Sequence, residues 1–220
     1  MTSHKPPAKV LLVDDHPLVR EGLALRISLH PDLAVCGEAA SVNEALAAVA
    51  RTKPDLAIID LSLQNSHGLD LVKHIKSRFP AVKMLVLSGF QESLYGERCL
   101  RAGALGYLNK QESNDNLIAA MRTVLTGQRF VGPELSERLI NEGLEGVDAS
   151  KTPIDRLTNR EFEIFQMIGN GLGTGTIAER LFLSRHTIDT HRENIKRKLG
   201  LKNAAELTRA AVQWVLAQIN

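Results

Sequence analysis

Residues 9–15 have the sequence KVLLVDD, a continuous apolar run that ends in two adjacent carboxylates. A stretch that is apolar at every position, rather than at alternate positions, is typical of a strand covered on both faces of a parallel sheet. Similar runs occupy residues 56–60, 83–88 and 106–108, and residues 33–39 form a fifth candidate strand. The first half of the chain therefore predicts a mainly buried parallel sheet.

Amphipathic segments separate these strands, and they predict helices. They span residues 17–29, 42–51, 67–78, 93–102 and 114–126. Ser41 and Glu44 have the spacing of a capping box, which marks the start of the second helix. Strand and helix alternate five times, which predicts an α/β doubly wound fold with a five-stranded parallel sheet and right-handed crossovers. We assign this domain to residues 7–127.

A segment rich in glycine and proline follows the α/β domain. Residues 128–153 lack strand-like runs, so they predict a linker that contains one short helix over about residues 134–142. Pro133 suits the first turn of that helix, where a backbone N–H has no helical partner to lose. The chain is therefore expected to contain two domains joined by this linker.

Beyond the linker the pattern is helical only. Thr158 begins a second capping box, GLGTGT at residues 171–176 predicts a glycine-rich turn, and residues 185–199 predict a basic helix. A short helix precedes the basic helix and a last helix follows it. Four short helices with tight turns predict an all-α four-helix domain with a helix-turn-helix, over residues 154–220.

Composition limits the classes of protein to which the chain can belong. The sequence has no run of about 18 apolar residues, so it predicts no membrane span. Its beginning, MTSHKPPAKV, lacks the apolar core of a secretory signal. The two cysteines, Cys36 and Cys99, are far apart and are expected to be reduced thiols. We therefore expect a cytoplasmic protein.

Basic residues are concentrated in one part of the chain. The formal net charge is only +2, but the stretch from Arg180 to Lys202 holds seven basic residues and two acidic ones. A basic patch confined to one region favours a polyanionic partner for that region.

Polar side chains mark the ends of four predicted strands. Asp14 and Asp15 follow the first strand, Asp60 ends the third, Ser88 ends the fourth and Lys110 follows the fifth. Because the carboxyl ends of parallel strands meet at one edge of a sheet, we expect these side chains to lie close together. Crowded carboxylates repel one another unless a cation lies among them, and hard oxygen ligands favour Mg²⁺. A lysine and a hydroxyl can bind phosphoryl oxygens, so the set predicts a phosphoryl-transfer site with a carboxylate nucleophile.

Several ordered motifs resemble a known family. VDDHPLVREGL, IIDLSLQNSHGLDLVKHI, VLSGF and AGALGYLNK are similar, in order and spacing, to the motifs of response-regulator receiver domains. The stretch from LTNREFEIFQMI to TIAERLFLSRHTIDTHRENIKRKLGLKNAAEL resembles the LuxR-type output domain. Together they resemble a NarL/FixJ-family two-component response regulator over nearly the whole chain.

The resemblance implies a role for each residue at the acidic edge of the sheet. Asp60 would accept a phosphoryl group from a sensor histidine kinase, and Lys110 would pair with the resulting acyl phosphate. Ser88 and Tyr107 would switch position in response. A second interpretation of Tyr107 stays open, as a half-buried aromatic on an edge strand that does not switch. The implied Mg²⁺ ligands are Asp14, Asp15, Asp60 and the carbonyl group of Ser62.

The resemblance also implies the output. The C-terminal domain would bind promoter DNA, so that the protein is a phosphorylation-controlled transcription regulator. The last helix often pairs two output domains in this family, and we therefore expect a homodimer on DNA. No membrane partner is expected.

The helix at residues 185–199 has two faces. Residues at spacings of three and four predict a stripe that faces the core; the stripe consists of Ile188, His191, Ile195 and Leu199. Its histidine is therefore predicted to be a packed side chain rather than a metal ligand. The predicted DNA-binding residues are Arg185, His186, Asp189, Thr190, Arg192, Glu193, Lys196 and Lys198.

Two acidic residues on this helix leave two interpretations open. By resemblance, Asp189 and Glu193 fall where family members commonly touch bases, and a carboxylate there can accept a hydrogen bond from cytosine N4. The alternative is pairing within the helix at spacings of three or four. Asp189 would then pair with Arg185 or Arg192. Glu193 would pair with Arg197. DNA binding is predicted in either case.

Two other classes of function use the same features. A Mg²⁺-dependent phosphatase could use the same acidic edge, but such an enzyme needs an acid or base two residues after the nucleophile, where this chain has Ser62. A protein-binding module that no longer binds DNA conflicts with the excess of basic residues between Arg180 and Lys202. We therefore predict a regulator that is not an enzyme.

Overall fold

The computed structural model describes residues 6–63, 66–111, 113–144 and 153–217. The chain divides into two compact units, Met1–Ile140 and Asn141–Asn220. Residues 145–152 of the predicted linker lie outside the described part. Among the described helices, none is both long and apolar enough to cross a membrane.

The first unit is an α/β fold. Its strands are β1 (Ala8–Val13), β2 (Leu33–Ala39), β3 (Leu56–Ile59), β4 (Ser62–Leu63), β5 (Ser66–His67), β6 (Lys83–Ser88) and β7 (Gly106–Asn109). The helices between them are α1 (Pro17–Ser28), α2 (Val42–Thr52), α3 (Gly68–Arg78), α4 (Glu92–Ala102) and α5 (Ser113–Leu125). Each helix follows a strand, as the alternating pattern predicts.

Five of these strands form one parallel sheet in the order β2-β1-β3-β6-β7. This order confirms the predicted doubly wound sheet. The chain adds β2 on one side of β1 and the later strands on the other side, so the topological switch point lies between β1 and β3, where open α/β sheets bind ligands. The sequence did not predict β4 and β5, which form a separate antiparallel pair directly after Asp60. Strands of two residues are too short to show a hydropathy period.

The first strand is covered on both faces, as its continuous apolar run predicts. Leu12 lies in one buried cluster with Ile27 of α1 and Met121 of α5. Its neighbour Leu11 points to the opposite face of the sheet, because side chains alternate along a strand, and it is also fully buried. The strand therefore offers its carboxyl end as a rigid support for the residues that follow it.

The chain after α5 runs along the edge strand β7. Phe130 N–H donates to the carbonyl of Leu105 at 3.0 Å, and Tyr107 N–H donates to the carbonyl of Phe130 at 2.9 Å. Gly132 N–H donates to both carboxylate oxygens of Glu92, at the start of α4, at 2.9 Å. Residues that the sequence predicts as linker therefore belong to the first unit and are bonded to its edge strand and to α4.

The next helix, α6 (Pro133–Leu144), confirms the helix predicted over residues 134–142. Leu135 is buried, and it packs so closely on α4 that a Cβ atom at Gly96 would lie 2.5 Å from its side chain. The boundaries at residues 127 and 153 stay predictions.

The second unit is helical. It begins with a 3₁₀ turn (Pro153–Arg156), followed by α7 (Asn159–Gly169), α8 (Thr174–Arg180), α9 (Arg185–Leu199) and α10 (Ala204–Ala217). These are the four predicted helices, and the capping box at Thr158 is confirmed. The predicted turn at residues 171–176 is wrong in its second half, because α8 already begins at Thr174. Burial of Ile177 and Ala178 outweighs the poor helix propensity of Gly175.

The last helix packs against the first helix of this unit. Leu207 and Ala211 are fully buried, and the ring of Trp214 lies 5.2 Å from that of Phe162 and 6.1 Å from that of Phe165. The apolar stripe of α10 thus contributes to the core of the unit.

We expect the substitution Glu92→Gln to loosen residues 130–135 from α4 and the edge strand β7. The glutamine side chain would offer a neutral amide in place of a carboxylate, and charge-assisted hydrogen bonds are the stronger kind. A loss of about 1 kcal/mol corresponds to about fivefold faster hydrogen exchange at the Gly132 amide, which NMR measures directly.

Glu97→Gln is the matched control for this experiment. Glu97 lies on the same helix, but its carboxylate pairs with Arg101. Equal exchange rates at Gly132 in the two variants would contradict the proposed role of Glu92.

Candidate functional site

Parallel pairing places the polar residues at one edge of the sheet. Asp60 N–H donates to the carbonyl of Val13 at 2.8 Å, so the β1–β3 ladder continues to the residues just beyond the strands. Lys110 N–H donates to the carbonyl of Ser88 at 2.8 Å in the same way. Asp14 and Asp60 are only 2% and 3% exposed. The backbone ladder therefore holds both carboxylates in a buried setting.

Gly68 permits α3 to begin directly behind Asp60. Its N–H donates to the carbonyl of Leu61 at 2.9 Å. A Cβ atom at this position would lie 2.0 Å from the carbonyl oxygen of Asp60. Any larger residue would displace the backbone of Asp60, so the glycine in the sequence NSHGLD is a requirement of the site.

Lys110 connects the two buried carboxylates. Its Nζ lies 2.7 Å from Oδ2 of Asp14 and 2.8 Å from Oδ2 of Asp60. Burial alone would lower the pKa of Lys110, but the charges and hydrogen bonds of the two aspartates outweigh it and raise that pKa. Burial raises the pKa of Asp60, against the opposing effect of Lys110. One ammonium group is thus shared by two carboxylates that have lost most of their hydration.

A third carboxylate and a histidine complete the cluster. Donor atoms of Asp14, Asp15, His16 and Asp60 lie within 4.8 Å of one another, close enough to hold a metal ion. Asp15 Oδ1 is buried without a hydrogen-bond partner among the described residues, although His16 Nδ1 lies 2.7 Å away. Ser62 N–H donates to Asp60 Oδ1 at 3.2 Å. His16 was not predicted from the sequence, where its only signal was its place directly after the two acids.

Ser88 and Tyr107 lie on the two neighbouring strands and are tied to the loop after β6. Ser88 is fully buried, and its Oγ accepts a hydrogen bond from Phe90 N–H at 3.2 Å. The hydroxyl of Tyr107 donates to the carbonyl of Phe90 at 2.8 Å. Burial raises the pKa of Tyr107, against a hydrogen bond with Ser88, so the phenol is neutral. The interpretation of Tyr107 as half-buried is wrong, since its side chain is 1% exposed.

A second candidate site lies on α9 of the other unit. Ser184 caps the helix by accepting a hydrogen bond from Thr187 N–H at 3.0 Å, and Ile188 and Ile195 are fully buried. His191 faces the same side; burial, followed by the charge of Arg160, lowers its pKa. The packed histidine is therefore confirmed.

The predicted DNA-binding residues differ in exposure. Exposed side chains belong to Arg185, His186, Asp189, Thr190 and Glu193, and half-buried ones to Arg192, Lys196 and Lys198. Thr190 donates its hydroxyl to the carbonyl of His186 at 3.0 Å. Most of the predicted residues thus share the accessible face of α9.

The two acids of α9 have different surroundings. Glu193 pairs with Lys196 at 2.8 Å, so the predicted pair with Arg197 is wrong; Arg197 instead bonds Asn194. Within the described residues, Asp189 makes no ion pair with any cation. The alternative in which Asp189 pairs with Arg185 or Arg192 is therefore wrong.

Lys198 is bonded within its own unit. Its Nζ lies 2.5 Å from Oε2 of Glu161, and the same oxygen accepts a hydrogen bond from Thr158 N–H at 2.7 Å. Burial alone would raise the pKa of Glu161, but hydrogen bonds from Lys198 and Thr158 lower it. The structural partner of Lys198 is thus Glu161, which lies 37 residues earlier in the chain. A DNA contact by Lys198 stays a prediction.

Known protein families match both units of the chain. The response regulator receiver domain matches residues 10–122, and the bacterial regulatory proteins of the luxR family match residues 155–211. The chain belongs to the LuxR/NarL family of response regulators. It is therefore a phosphorylation-controlled, DNA-binding transcription regulator, as the sequence predicts.

Three proteins similar to this response regulator match between 63% and 93% of its length. The oxygen regulatory protein NreC of Staphylococcus carnosus is 36% identical over 210 residues, which are 93% of this chain and 97% of that protein. A LuxR-family response regulator from Aurantimonas sp. is 33% identical, with a TM-score of 0.58 over 63% of this chain and 99% of that one. RcsB in a DNA complex is 26% identical, with a TM-score of 0.56 over 92% of this chain and 96% of that one.

We expect Lys198→Met to destabilise the second unit of this response regulator by about 1–3 kcal/mol, because it leaves the Glu161 carboxylate buried without its cation. Methionine keeps the length of the side chain. Urea unfolding followed by fluorescence of Trp214, the only tryptophan in the chain, measures the change in this unit.

The matched control is Arg197→Ala, one position earlier on the exposed side of α9. Its effect should stay within about 0.5 kcal/mol. Equal unfolding midpoints for Lys198→Met and the native chain would contradict the structural role of Lys198.

Proposed function

We propose that Asp60 accepts a phosphoryl group from the phosphohistidine of a sensor histidine kinase, and that this event controls the binding of promoter DNA by α9. The observation that carries the proposal is the Lys110 ammonium, 2.7 and 2.8 Å from the carboxylates of Asp14 and Asp60. A carboxylate nucleophile beside a fixed cation is suited to attack an anionic phosphoryl group, because the cation offsets the repulsion between the two.

The transfer exchanges one bond for another. A carboxylate oxygen of Asp60 attacks phosphorus, the P–N bond to the imidazole breaks, and its electron pair stays on the leaving nitrogen. The product is an acyl phosphate on Asp60. Lys110, which already bonds the Oδ2 atom of Asp60, then binds the phosphoryl oxygens and keeps the product beside the sheet.

The donor set fits Mg²⁺. Asp14, Asp15 and Asp60, with the carbonyl group of Ser62, would hold the ion through hard oxygen atoms. Two observations support the fit: Asp15 Oδ1 is buried without a hydrogen-bond partner among the described residues, and the buried carboxylates of Asp14 and Asp60 share the ammonium of Lys110. When bound, Mg²⁺ supplies positive charge that stabilises the phosphoryl oxygens during transfer.

Ser88 and Tyr107 would transmit the change. An acyl phosphate adds about two negative charges, and the buried hydroxyl of Ser88, at the end of β6, is a donor that can turn toward them. Ser88 Oγ would then exchange its present bond with Phe90 N–H for one to the phosphoryl group. The loop that holds Phe90 is also bonded by Tyr107, so both residues would respond together.

The output would be double-stranded DNA. The N-terminal part of a helix-turn-helix recognition helix enters the major groove, and Arg185 and His186 are exposed there on α9. RcsB, a similar response regulator, has been solved with two dimers bound to two parallel DNAs. We propose that this chain also binds DNA as a homodimer.

The remaining assignments follow from this function. Residues 7–127 would form the receiver domain, 128–153 the linker and 154–220 the DNA-binding domain. The protein would act in the cytoplasm, where promoter DNA is present. It would not be an enzyme, since Ser62 cannot act as the second acid or base that a phosphatase of this kind needs.

We expect Asp60→Asn to abolish phosphoryl acceptance. With Mg²⁺ and a small-molecule phosphodonor, intact-mass spectrometry should find one added phosphoryl group on the native chain and none on the variant. Gel shifts on genomic fragments should then show stronger DNA binding after phosphorylation of the native chain only.

Asp70→Asn, on the exposed side of α3, is the control and should behave as the native chain. An added phosphoryl group on Asp60→Asn would show that another residue is the acceptor. Identical DNA binding before and after phosphorylation of the native chain would contradict the proposed control.

A further inference from the structure

We infer that Asp189 contacts a base directly, accepting a hydrogen bond from the exocyclic amine of a cytosine in the major groove of the operator. The inference rests on the proposed binding of α9 to DNA and adds the base pair that one side chain selects. It is carried by the contrast between Asp189 and the second acid of the same helix, Glu193.

Asp189 occupies a position from which a base edge is accessible. It is the fifth residue of α9 (Arg185–Leu199), and its side chain is exposed. The adjacent Ile188 is fully buried and fixes the rotation of the helix about its axis. In helix-turn-helix proteins the first turns of the second helix approach the base edges, while later residues lie nearer the backbone. An exposed residue at this position therefore faces the groove.

The carboxylate of Asp189 is available to a partner outside the chain. Arg185 and Arg192 stand four residues before it and three after it, but neither forms an ion pair with it in the described structure. Arg185 lies instead over α8, where a Cβ atom at Gly175 would be 3.0 Å from its guanidinium group. The absence of a side chain at Gly175 thus gives Arg185 a place away from Asp189.

Glu193 is in the opposite situation. Its carboxylate lies 2.8 Å from the ammonium of Lys196, so the positive charge of Lys196 offsets its negative charge. Glu193 therefore limits the attraction of Lys196 for phosphate groups, whereas Asp189 is paired with no cation of the described chain. The two acids are expected to affect DNA binding in different ways.

The chemistry of the groove selects the base. An ionised carboxylate can only accept hydrogen bonds, and the major groove offers donors at cytosine N4 and adenine N6 alone. Adenine presents the acceptor N7 beside its amine, and that atom repels the second carboxylate oxygen. Cytosine itself carries no acceptor next to N4 on its own major-groove edge. Guanine and thymine present acceptors at the equivalent edge, so a carboxylate disfavours both.

The test is selection of bound duplexes from a randomised library by the full-length, phosphorylated protein and two matched variants. The native chain should fix a C·G pair at one position of each half-site. Asp189→Asn should lose that preference and shift toward A·T, because an amide can bond both N6 and N7 of adenine. Glu193→Gln should keep the C·G preference and bind all selected sequences more tightly, since Lys196 is released.

Affinity measurements on the selected operator make the test quantitative. Replacement of the C·G pair by T·A should weaken binding of the native chain about tenfold to a hundredfold, and that of Asp189→Asn by less than about threefold. A cytosine analogue that lacks only the N4 amine should reproduce the loss for the native chain. Fluorescence of Trp214 checks that each variant is folded.

Three results would overturn the inference. If Asp189→Asn keeps the C·G preference, Asp189 does not select the base. If Glu193→Gln loses that preference, Glu193 selects the base instead of Asp189. A native preference for A·T at this position would mean that adenine is the partner. If the native chain selects no duplex at all, the proposed DNA binding itself fails, which is a separate outcome.

Discussion

The ammonium group of Lys110 lies between the carboxylates of Asp14 and Asp60, two acids that are almost completely buried. Without it, parallel strand pairing would hold two desolvated negative charges together at a large electrostatic cost. The ladder that ends at Asp60 and the absence of a side chain at Gly68 both serve to keep this arrangement in place. The fold thus maintains an excess of negative charge at this edge of the sheet, and the proposed phosphoryl transfer to Asp60 depends on it.

Most of the sheet and of the site could be predicted from the sequence, for a reason that applies to parallel sheets generally. Continuous apolar runs locate buried strands, and the residues directly after them must meet at one edge. Asp60 and Lys110 could be placed together in this way, although 50 residues separate them. The pairing of Lys198 with Glu161 was missed because neither residue follows a periodic pattern; their proximity depends on how two helices pack. The bridge between Phe130 and Gly106 was not predicted either, because a single β-bridge leaves no run of β-forming residues in the sequence.

The acids of α9 show a limit of a different kind. Helical spacing alone allows Asp189 to pair with an arginine on either side, and the sequence contains no information that separates these choices from a free carboxylate. For Arg185 the decision is made outside the helix, where Gly175 gives its side chain another place to lie. A glycine in a neighbouring helix can therefore determine which charge of a recognition helix remains available, and comparison of the recognition helices alone would overlook it.

The bond between Phe130 and the edge strand β7 also has a consequence for the modular use of such proteins. Exchange of output domains between relatives requires a junction, and the end of α5 would be the natural choice from the domain pattern. A receiver cut there would expose the N–H of Tyr107 and the carbonyl of Leu105, which now bond Phe130, as an open sheet edge that invites pairing with other chains. A receiver taken from this chain for such an exchange should therefore keep the residues up to about 140, where the first compact unit ends, so that this edge stays covered.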